Sequence, residues 1–173
     1  MNIREYQVEA SRTCSDLGEK LNLAHMVLGM WSEFEEYIQA KENNDYINLH
    51  EECSDIMWYI ANYCTFRGYD LQVLWENNNF NGKPYTINIS TLQDYIKKYI
   101  AYNKLIDDYK ETNLISNILY NVRHMYGSLD YLESLEKNIA KLKARFPEKF
   151  TQEAALNRNL ELERKILEGN DIK

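Results

Sequence analysis

Apolar residues recur along this chain at intervals of three and four, and short polar stretches separate the periodic runs. This spacing places apolar side chains on one face of an α-helix. The predicted helices cover about 2–14, 21–40, 47–67, 71–75, 91–109 and 113–126, a long stretch ending at 145, and 151–167. Only two prolines and six glycines interrupt the chain, so we predict an all-α protein, a helical bundle.

Turn residues mark the ends of the predicted helices. Gly68 follows the third helix, where a C-terminal glycine is favoured, and Phe146-Pro147 ends the long helix. The Asn-rich segment 77–85 is the clearest loop. Because helical patterns continue on both sides of it, we expect one domain over 1–173.

The second predicted helix has a glycine in its interior. Gly29 costs about 1 kcal/mol of helix propensity relative to alanine, and a close approach by a neighbouring helix or a ligand would explain its presence. The core candidates of this helix are Leu21, Leu28, Trp31, Phe34 and Ile38.

The chain contains a weak internal repeat. The stretch 127–138 echoes the stretch 68–78, and the helices that precede the two glycines are also alike. We infer a degenerate duplication of one helical hairpin. Residues 114–117 of the second copy correspond to 52–55 of the first, and they lack carboxylates.

The balance of charge limits the function classes. The chain carries 27 acidic and 20 basic residues, for a formal charge of −7. An acidic chain without a basic run is not expected to bind duplex nucleic acid. A phosphate ligand would therefore be bound by local cations and metal rather than by a broad positive field.

The cysteines and the hydropathy indicate a compartment. Cys14, Cys53 and Cys64 are odd in number and lack C-x-x-C spacing, so we expect reduced, structural thiols. No stretch is long and apolar enough to predict a membrane span or a signal peptide. We therefore expect a cytoplasmic protein.

Two pairs of carboxylates suggest a metal site. Glu33 and Glu36 lie three apart in the second predicted helix, as do Glu52 and Asp55 in the third. Residues three apart share a helix face, and two helices joined by a short loop lie antiparallel, so the pairs can face each other. Four converging carboxylates repel unless a hard cation lies among them. Mg²⁺ is the natural candidate, with Mn²⁺ as the alternative.

Acidic residues three apart are also common on solvated helix faces. Glu52 and Asp55, however, stand on a helix that is apolar around much of its circumference, which predicts burial, and a buried carboxylate needs a partner. A di-iron site usually draws E-x-x-H from a bundle, and this pattern is absent here. Magnesium is therefore the preferred ion.

Several stretches resemble one family, the MazG-like all-α nucleoside triphosphate pyrophosphohydrolases. The resemblance lies in 28–36 with E-x-x-E, in 51–59 with E-E-x-x-D followed by Trp-Tyr, in the start of the chain at 5–13, and in the late run 138–147. It extends over about 3–78 and 127–168, and it is weak over the helical segment at about 79–126.

The resemblance implies a fold and an activity. The fold is a bundle of antiparallel helices that carry E-x-x-E and E-x-x-D. The activity is Mg²⁺-dependent cleavage of a (d)NTP to the (d)NMP and pyrophosphate, in nucleotide-pool house-cleaning. Glu33, Glu36, Glu52 and Asp55 would be the metal ligands, and Glu33 or Glu36 would also activate the attacking water.

The same resemblance suggests a phosphate site. The N-x-x-K-L-x-x-R pattern of Asn138, Lys141 and Arg145 is implicated in phosphate binding in the family. A solvated basic stripe is the alternative interpretation. Lys83 is a rival for the phosphate-binding lysine, because the weakly matching segment leaves the alignment ambiguous.

The base-binding candidates are aromatic. The family builds its base pocket near His25 and Trp31, and Tyr59 lies one helical turn beyond Asp55, where it can stack on a base. A tyrosine or tryptophan at helical spacing is more often a core residue than a ligand, and His25 alone is equally consistent with either role. The resemblance also implies a homo-oligomer, a dimer or a tetramer. The alternative function is a catalytically silent helical module that binds nucleotides or a partner.

Overall fold

The computed structural model describes residues 1–77, 80–127 and 130–169, and these residues form helices and connecting loops without strands. The helices are α1 (Ile3–Arg12), α2 (Glu19–Glu42), α3 (Tyr46–Arg67), α4 (Leu71–Glu76), α5 (Tyr85–Tyr102), α6 (Asp108–Tyr126), α7 (Tyr131–Arg145), α8 (Gln152–Leu156) and α9 (Leu160–Leu167). The prediction of an all-α bundle is confirmed. None of the helices described combines the length and hydropathy needed to cross a bilayer.

The hairpin of α2 and α3 forms the centre of the molecule. A three-residue connection, 43–45, makes the two helices antiparallel, and they share the most extensive helix–helix contact of the fold. Met26 and Met30 of α2 and Ile56, Met57 and Ile60 of α3 are buried in this hairpin. This layer belongs to a hydrophobic cluster that runs from Ile3 in α1 to Phe146 beyond α7. All three cysteines are free thiols.

Capping residues define both ends of α3. The Asp45 side chain accepts a hydrogen bond from the Asn48 backbone at 3.2 Å and so caps the start of α3. Gly68 ends α3 in the left-handed conformation, with φ 71° and ψ 24°, as its position in the sequence predicted.

Gly29 is explained by a close approach of α3. A Cβ atom at position 29 would lie 2.1 Å from Cε1 of Tyr59, so only glycine lets the tyrosine ring lie against the α2 backbone. The predicted close approach is therefore confirmed, and its effect is to fix the position of Tyr59.

The predicted core of α2 is partly wrong. Leu21, Leu28 and Ile38 are exposed, at 60%, 64% and 36%, and Trp31 and Phe34 are half-buried. The buried face of α2 carries Leu23, Met26, Val27 and Met30 instead. Because apolar residues occur around the whole helix, periodicity alone does not select the face that packs on α3.

Several helix boundaries also differ from the prediction. Instead of 91–109 and 113–126, α5 begins after Pro84 and ends where Asn103 adopts a left-handed conformation, and the Asp107 side chain then caps α6. The predicted helix 151–167 is two helices. Asn157 ends α8, and the Asn159 side chain caps α9, which packs against α7.

The two halves of the proposed repeat share an aspartate N-cap and differ in the conformation of the glycine before it. Asp70 caps α4 and Asp130 caps α7, each through backbone N–H groups two and three residues on. Gly68 is left-handed, whereas Gly127 has φ 62° and ψ −122°. The predicted repeat also includes 78, 79, 128 and 129, which lie outside the described residues.

Candidate functional site

Three of the four predicted metal ligands converge. Glu33 and Glu36 from α2 and Glu52 from α3 each offer a carboxylate oxygen, and these oxygens lie within 4.8 Å of one another. The i, i+3 spacing on α2 and the short connection to α3 produce this meeting, as the sequence suggested. Asp55 borders the same cavity, but its carboxylate is engaged by Lys141 and Asn138.

Burial and mutual repulsion raise the pKa values of two of these carboxyl groups, Glu33 and Glu52. Burial, the charge of Asp55 and the neighbouring glutamate raise the pKa of Glu33 to about 7 and that of Glu52 to about 9. The two groups are hydrogen-bonded to each other. A divalent cation would relieve this repulsion and displace the protons. The donor set fits Mg²⁺ or Mn²⁺, since it consists of carboxylate oxygens without a thiolate.

Lys141 is buried among these acids. Its side chain is 2% exposed, and Nζ donates to both oxygens of Asp55, at 2.9 and 2.7 Å, and to Oε1 of Glu51 at 3.0 Å. All three ammonium hydrogens therefore have carboxylate acceptors. The rival residue Lys83 is exposed in the loop before α5 and does not border the cavity.

Asn138 lies behind Asp55 rather than on the cavity wall. It is 0% exposed, its amide donates to Asp55 Oδ1 at 2.5 Å, and it accepts a hydrogen bond from the Tyr6 hydroxyl at 3.0 Å. Asn138 therefore orients the carboxylate of Asp55, and the Tyr6 hydroxyl in turn orients Asn138.

The carboxylates open into a cavity of about 310 Å³, which is within the range of small-molecule sites. Its lining includes the carboxylates of Glu33, Glu36, Glu51, Glu52 and Asp55, which we call the acidic wall, the side chains of Arg145 and Arg158, and the rings of His25, Trp58 and Tyr59. The combination of acidic, basic and aromatic surface suits a ligand with a phosphate chain and a flat ring.

Two of the three base-binding candidates border this cavity. His25 and Tyr59 meet edge to face, with ring centroids 5.7 Å apart. Burial lowers the pKa of His25, and its buried Nδ1 has no hydrogen-bond partner among the described residues. Trp31 does not line the cavity, and its Nε1 donates to Glu35 Oε1 at 3.0 Å instead.

Trp58 was missed by sequence reasoning. Its ring borders the cavity, and its Nε1 donates to Thr13 Oγ1 at 2.9 Å, which joins the end of α1 to α3. Its position three residues after Asp55 was an available signal, since residues three apart share a helix face.

Arg158 was also missed, and its place depends on the break between α8 and α9. The side chain reaches the cavity and donates from Nη2 to Glu163 Oε2 at 2.8 Å. Arg145 donates to the same carboxylate from Nε at 2.9 Å and from Nη2 at 2.5 Å. The polar run Asn157-Arg158-Asn159 was the only sequence signal of this break.

Comparisons with protein-family models, with curated proteins and with solved structures found no significant match for this chain. The interpretation of the site therefore depends on the geometry described above.

Proposed function

We propose that the protein is a Mg²⁺-dependent nucleotide pyrophosphohydrolase that converts a (d)NTP to the (d)NMP and pyrophosphate. The observation that carries the proposal is the Glu33, Glu36 and Glu52 cluster, with oxygens within 4.8 Å, in one cavity with Arg145 and aromatic rings. The resemblance of the motifs to MazG-like enzymes supports the same activity.

The acidic residues would bind the metal. Glu33, Glu36 and Glu52 are the proposed ligands, with Asp55 beside them as the fourth carboxylate. When bound, a divalent cation neutralises charge on the phosphates and lowers the pKa of water. Lys141 balances the charge of Asp55 and Glu51, which keeps the carboxylates close together before metal binds.

The reaction requires a water to attack the α-phosphorus while the bond to the α–β bridging oxygen breaks. Either Glu33 or Glu36 accepts the proton of this water, and replacing each separately with glutamine distinguishes them. Arg145 faces the departing phosphates, where a fixed cation stabilises developing negative charge. His25, Trp58 and Tyr59 would hold the base and exclude water from that end of the cavity.

The direct test is pyrophosphate release from a panel of canonical and modified (d)NTPs, with Mg²⁺ and with EDTA. We expect metal-dependent release from a subset of the panel. Release of orthophosphate instead, or no turnover of any nucleotide, would contradict the proposal. Nucleotide binding without turnover would favour the alternative, a silent binding module. The predicted homo-oligomer is tested separately by light scattering.

A further inference from the structure

The cations that border the cavity differ in how completely they are neutralised. Lys141 is 2% exposed and has two carboxylate partners, Glu51 and Asp55. Arg145 and Arg158 share a single carboxylate, that of Glu163. Lys141 therefore has two carboxylate partners for one positive charge, which leaves an excess negative charge. The two arginines share one carboxylate, which leaves an excess positive charge.

The two arginines also retain free donors. The Glu163 carboxylate accepts hydrogen bonds from Nε and Nη2 of Arg145 and from Nη2 of Arg158. Among the described residues, no other group accepts a hydrogen bond from either guanidinium, so both Nη1 groups lack a protein partner. Two guanidiniums with free N–H groups in a cavity suit an anion with several oxygens.

Glu163 holds this pair in place. It is 4% exposed, although it belongs to the short terminal helix α9. The helix is anchored at its other side by Arg164, which donates to Asn48 Oδ1 at 2.5 Å. Arg12 fixes the chain that leads to this region, because it donates to the backbone carbonyls of residues 146–148. The arginines are thus oriented before any ligand binds.

We propose that Arg145 and Arg158, held together by Glu163, form the subsite that binds the terminal diphosphate of the substrate. The proposal rests on the proposed function, which supplies a triphosphate ligand. Lys141 then has a different role, as the internal counter-charge of the acidic wall. Arg158 is a binding residue, and Glu163 is a positioning residue that acts through both arginines.

Inorganic pyrophosphate is the probe that tests this subsite without turnover. Calorimetric titration in Mg²⁺ compares the wild type with Arg158→Gln, and Lys165→Gln is the matched control, an exposed cation on α9 paired with Glu161. We expect Arg158→Gln to weaken pyrophosphate binding about 10-fold or more. Lys165→Gln should bind pyrophosphate like the wild type.

Glu163→Gln separates positioning from net charge. The substitution removes a negative charge near the anion, so a subsite governed by charge alone would bind pyrophosphate more tightly. If Glu163 orients the arginines, binding is weaker, by about 3-fold or more. Circular dichroism and thermal melting check that each variant is folded. Arg158→Gln keeps the test informative if Glu163→Gln unfolds, because the Arg158 side chain is 42% exposed.

The outcomes separate this inference from the proposed function. Wild-type protein that fails to bind pyrophosphate, or equal affinities in Arg158→Gln and Lys165→Gln, would overturn the subsite even if nucleotides are hydrolysed. Tighter binding by Glu163→Gln would overturn the positioning role. Pyrophosphate binding that depends on Arg158, without hydrolysis of any nucleotide, would support the subsite and overturn the hydrolase. In an active enzyme, Arg158→Gln should lower kcat/KM and leave inhibition by the nucleoside monophosphate unchanged.

Discussion

The asparagines of the α5 and α6 hairpin are hydrogen-bonded to one another, whereas the carboxylates of the α2 and α3 hairpin face one another. The Asn81 backbone donates to Asn117 Oδ1 at 2.6 Å, the Asn81 side chain donates to Asn88 at 3.0 Å, and Asn88 donates to Asn121 at 3.1 Å. These groups are satisfied within the protein and need no ligand.

Two buried glutamates make the same contrast more sharply. Glu111, at the start of α6, accepts hydrogen bonds from the Tyr63 and Tyr69 hydroxyls and from Arg67. No described residue donates a hydrogen bond to Glu52, whose protonated carboxyl group instead donates to the carboxylate of Glu33. A buried carboxylate that accepts hydrogen bonds from several donors stabilises the fold. A buried carboxylate that faces other carboxylates is repelled by them, and a bound cation would relieve this repulsion. The comparison therefore supports the proposal that the acid site, rather than the surroundings of Glu111, binds a cation.

Glu52→Gln should have the largest effect on activity. The substitution removes one proposed metal ligand and its charge while keeping the shape of the side chain. We expect pyrophosphate release to fall at least about a hundredfold. Mg²⁺ binding, measured by calorimetry, should weaken in parallel. Unchanged turnover would contradict the metal assignment.

Glu111→Gln should have the opposite profile. Among the described residues, it leaves the exposed carboxylate of Asp108, at 3.3 Å, as the one ion-pair partner of Arg67, and it places a neutral amide against the guanidinium. Breaking a buried pair of this kind costs about 3 kcal/mol of unfolding free energy. Urea denaturation measures the loss, and turnover per folded molecule should stay close to that of the wild type. A stable Glu111→Gln variant with impaired turnover would reverse the contrast between the two glutamates.

Sequence reasoning predicted the acid site because its cause is local. Glu33 and Glu36 share a face by spacing alone, and a three-residue connection brings Glu52 opposite them. The same reasoning placed the cap at Asp70 and the glycine at position 68. These features depend on spacing within a helix, on residues at helix ends and on one short connection.

The rest of the site depends on contacts between distant parts of the chain. Lys141 meets Asp55 across 86 positions, and a basic stripe gives no sign of which acid neutralises it. Arg158 reaches the cavity only because the polar run 157–159 divides the last predicted helix. Trp31 does not line the cavity because of the rotation of α2 about its axis, which the sequence pattern did not determine.

The stability of the metal-free protein should depend on pH through Glu33 and Glu52. Their folded pKa values of about 7 and about 9 lie above the ordinary value of 4.5. Between about pH 5 and pH 9, the folded protein therefore binds more protons than the unfolded chain, and stability falls as pH rises. The slope is up to about 1.4 kcal/mol per pH unit for each extra proton.

Thermal melting in EDTA between pH 5.5 and pH 8.5 measures this slope. Mg²⁺ should raise the melting temperature more at pH 8 than at pH 6, because it replaces the protons. Glu52→Gln should flatten the profile, whereas Glu111→Gln should keep it. A flat wild-type profile would mean that the carboxylates do not repel one another in the folded protein.

Gly29→Ala should have the smallest effect on stability, and it tests the link between the helix contact and the base pocket. Alanine gains about 1 kcal/mol of helix propensity. A Cβ atom 2.1 Å from the Tyr59 ring, however, forces the ring to move, and overpacking of this kind costs about 1–3 kcal/mol. We therefore expect a net loss of about 1 kcal/mol, since the overlap outweighs the gain in propensity. The double variant Gly29→Ala/Tyr59→Ala should show no further loss of stability from the alanine at position 29.

Gly29→Ala should also affect nucleotide binding, because Tyr59 lines the cavity together with His25 and Trp58. We expect a higher KM for the nucleotide and unchanged binding of pyrophosphate. A parallel loss of pyrophosphate binding would show that the substitution disturbs the acid site as well, since both pairs of carboxylates are carried by the same two helices.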